Sequence, residues 1–262
     1  MTPLAGHTNS YHPYSAEEAY AGLAAAGYRA VELSAVPGWT EHVDVHGDPS
    51  DVRAQLDRHG LEAVSISGHS DLTTREGLDH GLAVVAWAER YRLPVVNTAI
   101  GGHAHVEESE SAFLANIGAL ADAAQGAGLV VALEIHGDLM ATGALSAALL
   151  DRIGHAAVKV NYDTANVEHY GGVRAEDDLP AIADRVANVH LKDMRGGKGD
   201  WDFPAIGEGH VDFARVLEIL RAAGFDGPYS VEIEFDGTWP ALDDVTAAMR
   251  ASREALAAHG LS

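Results

Sequence analysis

The sequence predicts a single (β/α)8 barrel, an α/β fold, over residues 1–262, and three observations predict it. Strand-like and helix-like runs alternate almost without interruption, eight times over. No proline-rich, serine-rich or charge-block linker divides the chain. Polar residues gather at the ends of strands five to eight, the place where such a barrel carries its site. The alternative, a doubly wound open sheet, needs a glycine-rich phosphate loop after an early strand. GxGxxG is absent there, and Gly101-Gly102 is too short to serve.

Each element has its own signal. Strand one covers residues 3–8, and Ser15 with Glu18 three residues on forms a capping box for a helix that passes Leu23 and stops at Gly27. Strand two is 30–35, followed by a loop with Pro37, Gly38 and Trp39 and a helix over 49–59 that ends at Gly60. Strand three (62–67) leads to a long helix over 74–91, and strand four (95–98) opens into Gly101-Gly102-His103 before a helix over 109–126. Strand five (130–136) and a helix over 143–153 come next, then strand six (157–163) and a helix over 176–184. Strand seven (186–192) has a long loop to Gly209 and a helix from Asp212 to Gly224. Strand eight (229–235) and a closing helix over 239–259 complete the pattern.

Composition excludes several function classes. The formal net charge is −22, from 39 acidic and 17 basic side chains, so a phosphate backbone is repelled and nucleic-acid binding is not expected. The lysines are Lys159, Lys192 and Lys198 alone, which also argues against a highly phosphorylated substrate. Without cysteine there is no disulfide framework, in keeping with a reducing cytoplasm. No apolar run reaches about 18 residues, so no membrane span is expected. The first residues, MTPLAGHTNSYHPYS, lack the basic start and apolar core of a signal peptide.

The chemistry gathers at four strand ends. On strand seven, His190 and Lys192 lie two apart and share a face. Glu134 in VVALEIHG, Asp163 in VKVNYDTAN, and Glu232 with Glu234 in YSVEIEFDG supply carboxylates at neighbouring ends. Buried acids in such proximity repel one another without a cation. Glu134, Asp163, His190 and Glu232 offer three oxygens and one nitrogen, a set for one divalent ion, Mn²⁺ first, with Co²⁺, Mg²⁺ or Zn²⁺ as alternatives.

LEIH, NYDTAN, HLKD, FPAIGEGHVDF and GFDGPYSVEIE resemble the xylose-isomerase-like sugar phosphate isomerase/epimerase superfamily of TIM barrels. Its members include ketose 3-epimerases, inosose isomerases and dehydratases, and the endonuclease IV enzymes. The resemblance covers nearly the whole chain and implies a metal held by Glu134, Asp163, His190 and Glu232, with the GPxSVE pattern choosing Glu232 over Glu234. Ketose 3-epimerases usually carry Glu-Pro followed by Asn-Arg after strand five, and a His three residues after the strand-six Asp. This chain has Glu134-Ile135-His136 and Asp163-Thr164-Ala165-Asn166 instead. The first departure removes groups that grip a ketose, and the second replaces an imidazole with an amide. The endonucleases add further His and Asp ligands and a basic cleft, which the charge of −22 opposes.

The expected activity is isomerisation or epimerisation of a small polyhydroxy carbonyl compound, a keto-sugar or inosose. A divalent ion that chelates adjacent carbonyl and hydroxyl oxygens acidifies the neighbouring C–H and stabilises the enediolate left by proton removal. Glu134 and Glu232 stand on different sides of such a substrate, one to remove a proton and the other to return it. His136 faces the same interior as Glu134 and is a candidate acid or base. Lys192 is placed for a substrate oxygen. Should the enolate expel a β-substituent, protonated by His136 or Lys192, the site becomes a lyase or dehydratase acting on a keto-inositol or 3-oxo-glycoside. Asn161, Asn166, Trp39, His69 and His103 are the expected substrate contacts. The loop over 195–209, with five glycines around Trp201 and Phe203, reads as a lid or subunit contact, and with the resemblance implies a homo-oligomer, dimer or tetramer.

Overall fold

The computed structural model of the chain describes residues 4–101 and 110–261. Eight parallel strands close into a barrel in sequence order: β1 Leu4–His7, β2 Ala30–Ser34, β3 Glu62–Ser67, β4 Val95–Thr98, β5 Val130–Glu134, β6 Val158–Asp163, β7 Val186–Leu191 and β8 Tyr229–Val231. Closure runs through β1 and β8, with Leu4 opposite Tyr229 and Gly6 opposite Val231. The helices are α1 Ala16–Ala26, α2 Pro49–His59, α3 Arg75–Tyr91, α4 Glu110–Gly126, α5 Gly143–Ile153, α6 Asn166–Gly171, α7 Ala175–Asp178, α8 Phe213–Ala222 and α9 Leu242–Ala257. Among the described residues, no helix is long and apolar enough to cross a membrane.

Local chemistry sets the boundaries. The capping box of α1 is present, with Ser15 Oγ accepting from Glu18 N and Glu18 Oε2 accepting from Ser15 N. Asp48, Thr74, Thr142 and Asp212 cap α2, α3, α5 and α8 in the same way with their side-chain oxygens. Gly27 and Gly60 end α1 and α2 at φ of 95° and 65°, a left-handed conformation that a Cβ disfavours.

Two stretches differ from the sequence expectation. The run over 176–184 forms the single turn of α7 and two short 3-10 turns, because Pro180 lacks the N–H that a continuing helix would use. Strand eight ends at Val231, since the chain beyond it pairs with the loop after β7. Phe203 N donates to Phe235 O at 2.7 Å and Phe235 N to Phe203 O at 2.9 Å. Phe235 takes φ of 52° to make that turn.

Alternation along the strands sorts apolar from polar. Val31, Leu33, Ile66, Val131, Leu133, Val160, Val189 and Val231 belong to the apolar core between barrel and helices. The residues between them, Glu32, Ser65, Asn97, Glu134, Asn161, Asn188, His190 and Ser230, are buried and join one another by hydrogen bonds across the barrel interior. Most barrels of this class fill the interior with branched apolar residues. Here it is a hydrogen-bonded column.

Outside the barrel, His42 donates Nε2–H to the Tyr14 carbonyl at 2.9 Å, while its Nδ1 is buried without a partner. Burial pulls its pKa from 6.5 down to about 4. Between those values the unfolded chain binds the extra proton and the folded one does not, so stability falls with pH below about 6.5. His42→Gln keeps a donor for Tyr14 and removes the ionisation. Chemical denaturation at pH 7 and pH 4 is expected to show the parent losing on the order of 2–3 kcal/mol more than the variant over that interval. Equal losses would contradict it.

Candidate functional site

The floor of the site is Glu32, wholly buried in the middle of β2. Ser65, Ser230 and Asn188 donate to its Oε2, at 2.8, 2.7 and 3.2 Å, and Asn97 donates to Oε1 at 2.8 Å. His190 Nε2 lies 2.7 Å from the same Oε1. Burial opposes a charge here, but His190 and His7 and these hydrogen bonds outweigh it and hold the Glu32 carboxyl at about 2. An ionised Glu32 can only accept, so His190 must carry a proton on Nε2. This fixes the orientation of the ring.

The other nitrogen, Nδ1, then points to the mouth. It lies 3.1 Å from Glu134 Oε2, 3.4 Å from Glu232 Oε2 and 4.0 Å from Asp163 Oδ2, yet none of these makes a hydrogen bond with it. Asp163 Oδ1 accepts the backbone N–H groups of Ala165 and Asn166, each at 2.8 Å, whereas Oδ2 is buried without a hydrogen bond. One ligand atom from each of Glu134, Asp163, His190 and Glu232 lies within 4.8 Å of every other. Burial, with the Glu134 and Glu232 carboxylates beside it, pushes Asp163 up to about 7 despite the Lys192 ammonium. Unpartnered lone pairs, three carboxylates and an imidazole with its far nitrogen held by a carboxylate fit a divalent cation.

Separate supports hold the two glutamates. Glu134, the last residue of β5, receives Asn161 Nδ2 at 3.1 Å and Asn166 Nδ2 at 2.9 Å, and His69 Nε2 lies 3.2 Å away. Glu232, just past β8, faces His7 Nδ1 at 2.9 Å, Asn9 Nδ2 at 2.8 Å and Lys192 Nζ at 3.2 Å. Asn9 also donates to Glu234 at 3.2 Å, and its Oδ1 accepts from Trp39 Nε1 at 3.0 Å and Thr40 Oγ1 at 2.6 Å. Since an indole nitrogen can only donate, Trp39 fixes which way the Asn9 amide faces.

Lys192, only 2% exposed, sits among Glu234, Glu232 and Asp163 and lies 4.6 Å above the Phe203 ring. These acids outweigh burial and keep it charged. Asp193 turns the other way and organises the following loop. Its Oδ2 accepts from Gly207 N and Gly209 N, and its Oδ1 from Met194 N and Val211 N. That loop is further tied by Arg195 N donating to Asp202 O, and it carries Trp201, 37% exposed, to the pocket wall.

The structure brings Glu134, Asp163, His190, Glu232 and Lys192 together, with His69, His136 and Asn166 on the wall beside them. Asn161 lies deeper, spent on Glu134 and on Asn188, which donates to its Oδ1 at 3.0 Å. Trp39 borders an adjoining hollow. His103 falls outside the described residues. Burial pulls His136 down to about 4, so the ring is neutral at ordinary pH. Sequence reading missed Glu32, His7, Asn9 and Tyr170. A signal existed for Glu32 alone: a carboxylate inside the apolar run AVELS.

Fold and site define a closed parallel barrel with a carboxylate–histidine cluster suited to a divalent ion at its C-terminal mouth. A family model described as xylose isomerase-like TIM barrel matches residues 21–259, and the chain belongs to that family. The resemblance read from the sequence is borne out. Among curated proteins it is similar to the L-ribulose 3-epimerase of Methylomonas sp. (strain DH-1), 25% identical over 240 aligned residues, 83% of this chain and 78% of that one. Solved structures with the same fold include the Methylomonas sp. D-allulose 3-epimerase in complex with D-allulose, with a TM-score of 0.76 and 20% identity, covering 99% of this chain and 98% of that one. A xylose isomerase-like TIM barrel protein from Mycobacterium smegmatis in complex with magnesium aligns with a TM-score of 0.73 and 15% identity, over 98% of each chain.

Proposed function

We propose that this chain is a divalent-metal-dependent epimerase or isomerase of a small, uncharged keto-sugar. One observation carries the reading: Glu134 and Glu232 approach the same point from β5 and from the end of β8, each on its own hydrogen-bonded support. A divalent ion held by Glu134, Asp163, His190 and Glu232 would supply Lewis-acid polarisation of a carbonyl and its neighbouring hydroxyl. Mn²⁺ suits three carboxylates and one imidazole, and Mg²⁺, present in the mycobacterial relative, suits them next.

The chain's own groups do the proton work. Glu134 takes the proton from the carbon beside the carbonyl, and Glu232 returns one from the other side. Lys192 donates to a substrate oxygen while Glu234 pairs with its ammonium and Asn9 holds the Glu232 and Glu234 carboxylates in place. Among the described residues no arginine lines the pocket, and the single lysine there is surrounded by acids, which favours an unphosphorylated substrate. The relatives named for 3-epimerisation favour proton return over elimination. The absence of cysteine suits a cytoplasmic enzyme, and Trp201 on its loop suits a homo-oligomer.

Solvent-deuterium wash-in tests the reading on a panel of unphosphorylated ketoses with Mn²⁺. Label is expected at a single carbon next to the carbonyl, and the exchange is expected to stop with a chelator. No exchange with any ketose, or exchange indifferent to chelation, overturns it.

A further inference from the structure

We propose that Tyr170 reads one hydroxyl group of the substrate and that His136 sets its orientation; this rests on the polyol reading of the pocket. Two spacings coincide to build the pair. Glu134 and His136 are two apart at the end of β5 and share a face, and Asn166 and Tyr170 are four apart on α6 and share a face. Asn166 Nδ2 meets Glu134 Oε1 at 2.9 Å, and Tyr170 Oη meets His136 Nε2 at 3.0 Å. All four line the pocket. The wall next to the candidate metal ligands is therefore a matched double pair.

The phenol is held rigidly. Asp163 Oδ1 ties down the start of α6, and Gly172 closes its end at φ of 72°. A Cβ on Gly171 would lie 2.4 Å from the Ala141 carbonyl, so the end of the helix sits directly on the chain before α5. On the other side, Gly199 N donates to His169 O at 3.0 Å and fastens α6 to the loop that carries Trp201.

Tyr170 also has capacity to spare. A phenol has one proton and two lone pairs, and among the described residues its one hydrogen bond is to His136. Burial raises its pKa, so the group stays a hydroxyl and serves recognition rather than proton removal. It is the one phenol on the pocket wall among the described residues.

The experiment compares the metal-loaded parent with Tyr170→Phe on a ketose and its series of monodeoxy analogues, by initial rates, with metal content and thermal unfolding alongside. The variant is expected to raise KM about three- to tenfold on the full ketose, the worth of one hydrogen bond, with kcat and metal content unchanged. The penalty should vanish on one analogue only, the one lacking the hydroxyl that Tyr170 reads. A variant equal to the parent on the ketose, or a penalty equal on every analogue, overturns the assignment and leaves the epimerase reading standing. A metal-loaded parent that turns over no ketose overturns both.

Discussion

Replacing His190 by alanine is expected to abolish metal retention and to lower stability by about 3–5 kcal/mol, the cost of stripping one partner from a buried ion pair. The first effect follows from losing the only nitrogen of the ligand set. The second comes from below, where Glu32 loses the His190 ring at 2.7 Å from its Oε1 and keeps its hydrogen bonds from Asn97, Ser65, Ser230 and Asn188, all of them neutral donors. Adding Glu32→Gln to His190→Ala removes the stranded charge. The double variant should unfold at higher urea than His190→Ala alone, still without metal. Elemental analysis and urea titration of the three proteins check both halves, and a His190→Ala protein as stable as the parent would show that Glu32 does not depend on that ring.

Glu134→Gln and Glu232→Gln are each expected to slow proton exchange by about 10²–10⁴, the usual worth of a positioned acid or base. The informative part is the asymmetry. If the two carboxylates serve opposite sides, one variant should lose wash-in from one epimer and the other from its mirror partner at that carbon. Glutamine keeps a carbonyl oxygen for a metal, so metal content measured on the same samples separates loss of the ion from loss of the base. Equal impairment in both directions, with metal retained, would mean that a single group handles both proton transfers.

The barrel and four candidate ligand positions were legible because each strand alternates and because Glu134, Asp163, His190 and Glu232 sit where an apolar run gives way to a polar loop. Their supports were less visible. Glu32 lies in the middle of a strand, where its neighbours Val31 and Leu33 dominate the pattern. Asn9 belongs to a short turn after β1, and its importance depends on Trp39 and Glu232, which only the closed fold brings near. Helix α6 is six residues long, too short for a periodic signal, so Tyr170 looked like part of a loop. The loop over 195–209 promised mobility through its glycines. Asp193, whose four backbone contacts restrain it, reads in sequence as a surface acid next to a lysine.

The hydrogen-bonded interior also acts as a proofreading device for assembly. Sliding any strand by one residue exchanges its two faces. In a barrel lined by valine and leucine, such a slip swaps one greasy surface for another and is weakly punished. Here it would thrust Glu32, Asn97 or Asn188 into the apolar layer beneath the helices and leave their partners across the barrel unanswered. The alignment that assembles the site is thus the alignment that lets the chain close at all, and misaligned barrels are rejected by the same groups that support the site from below.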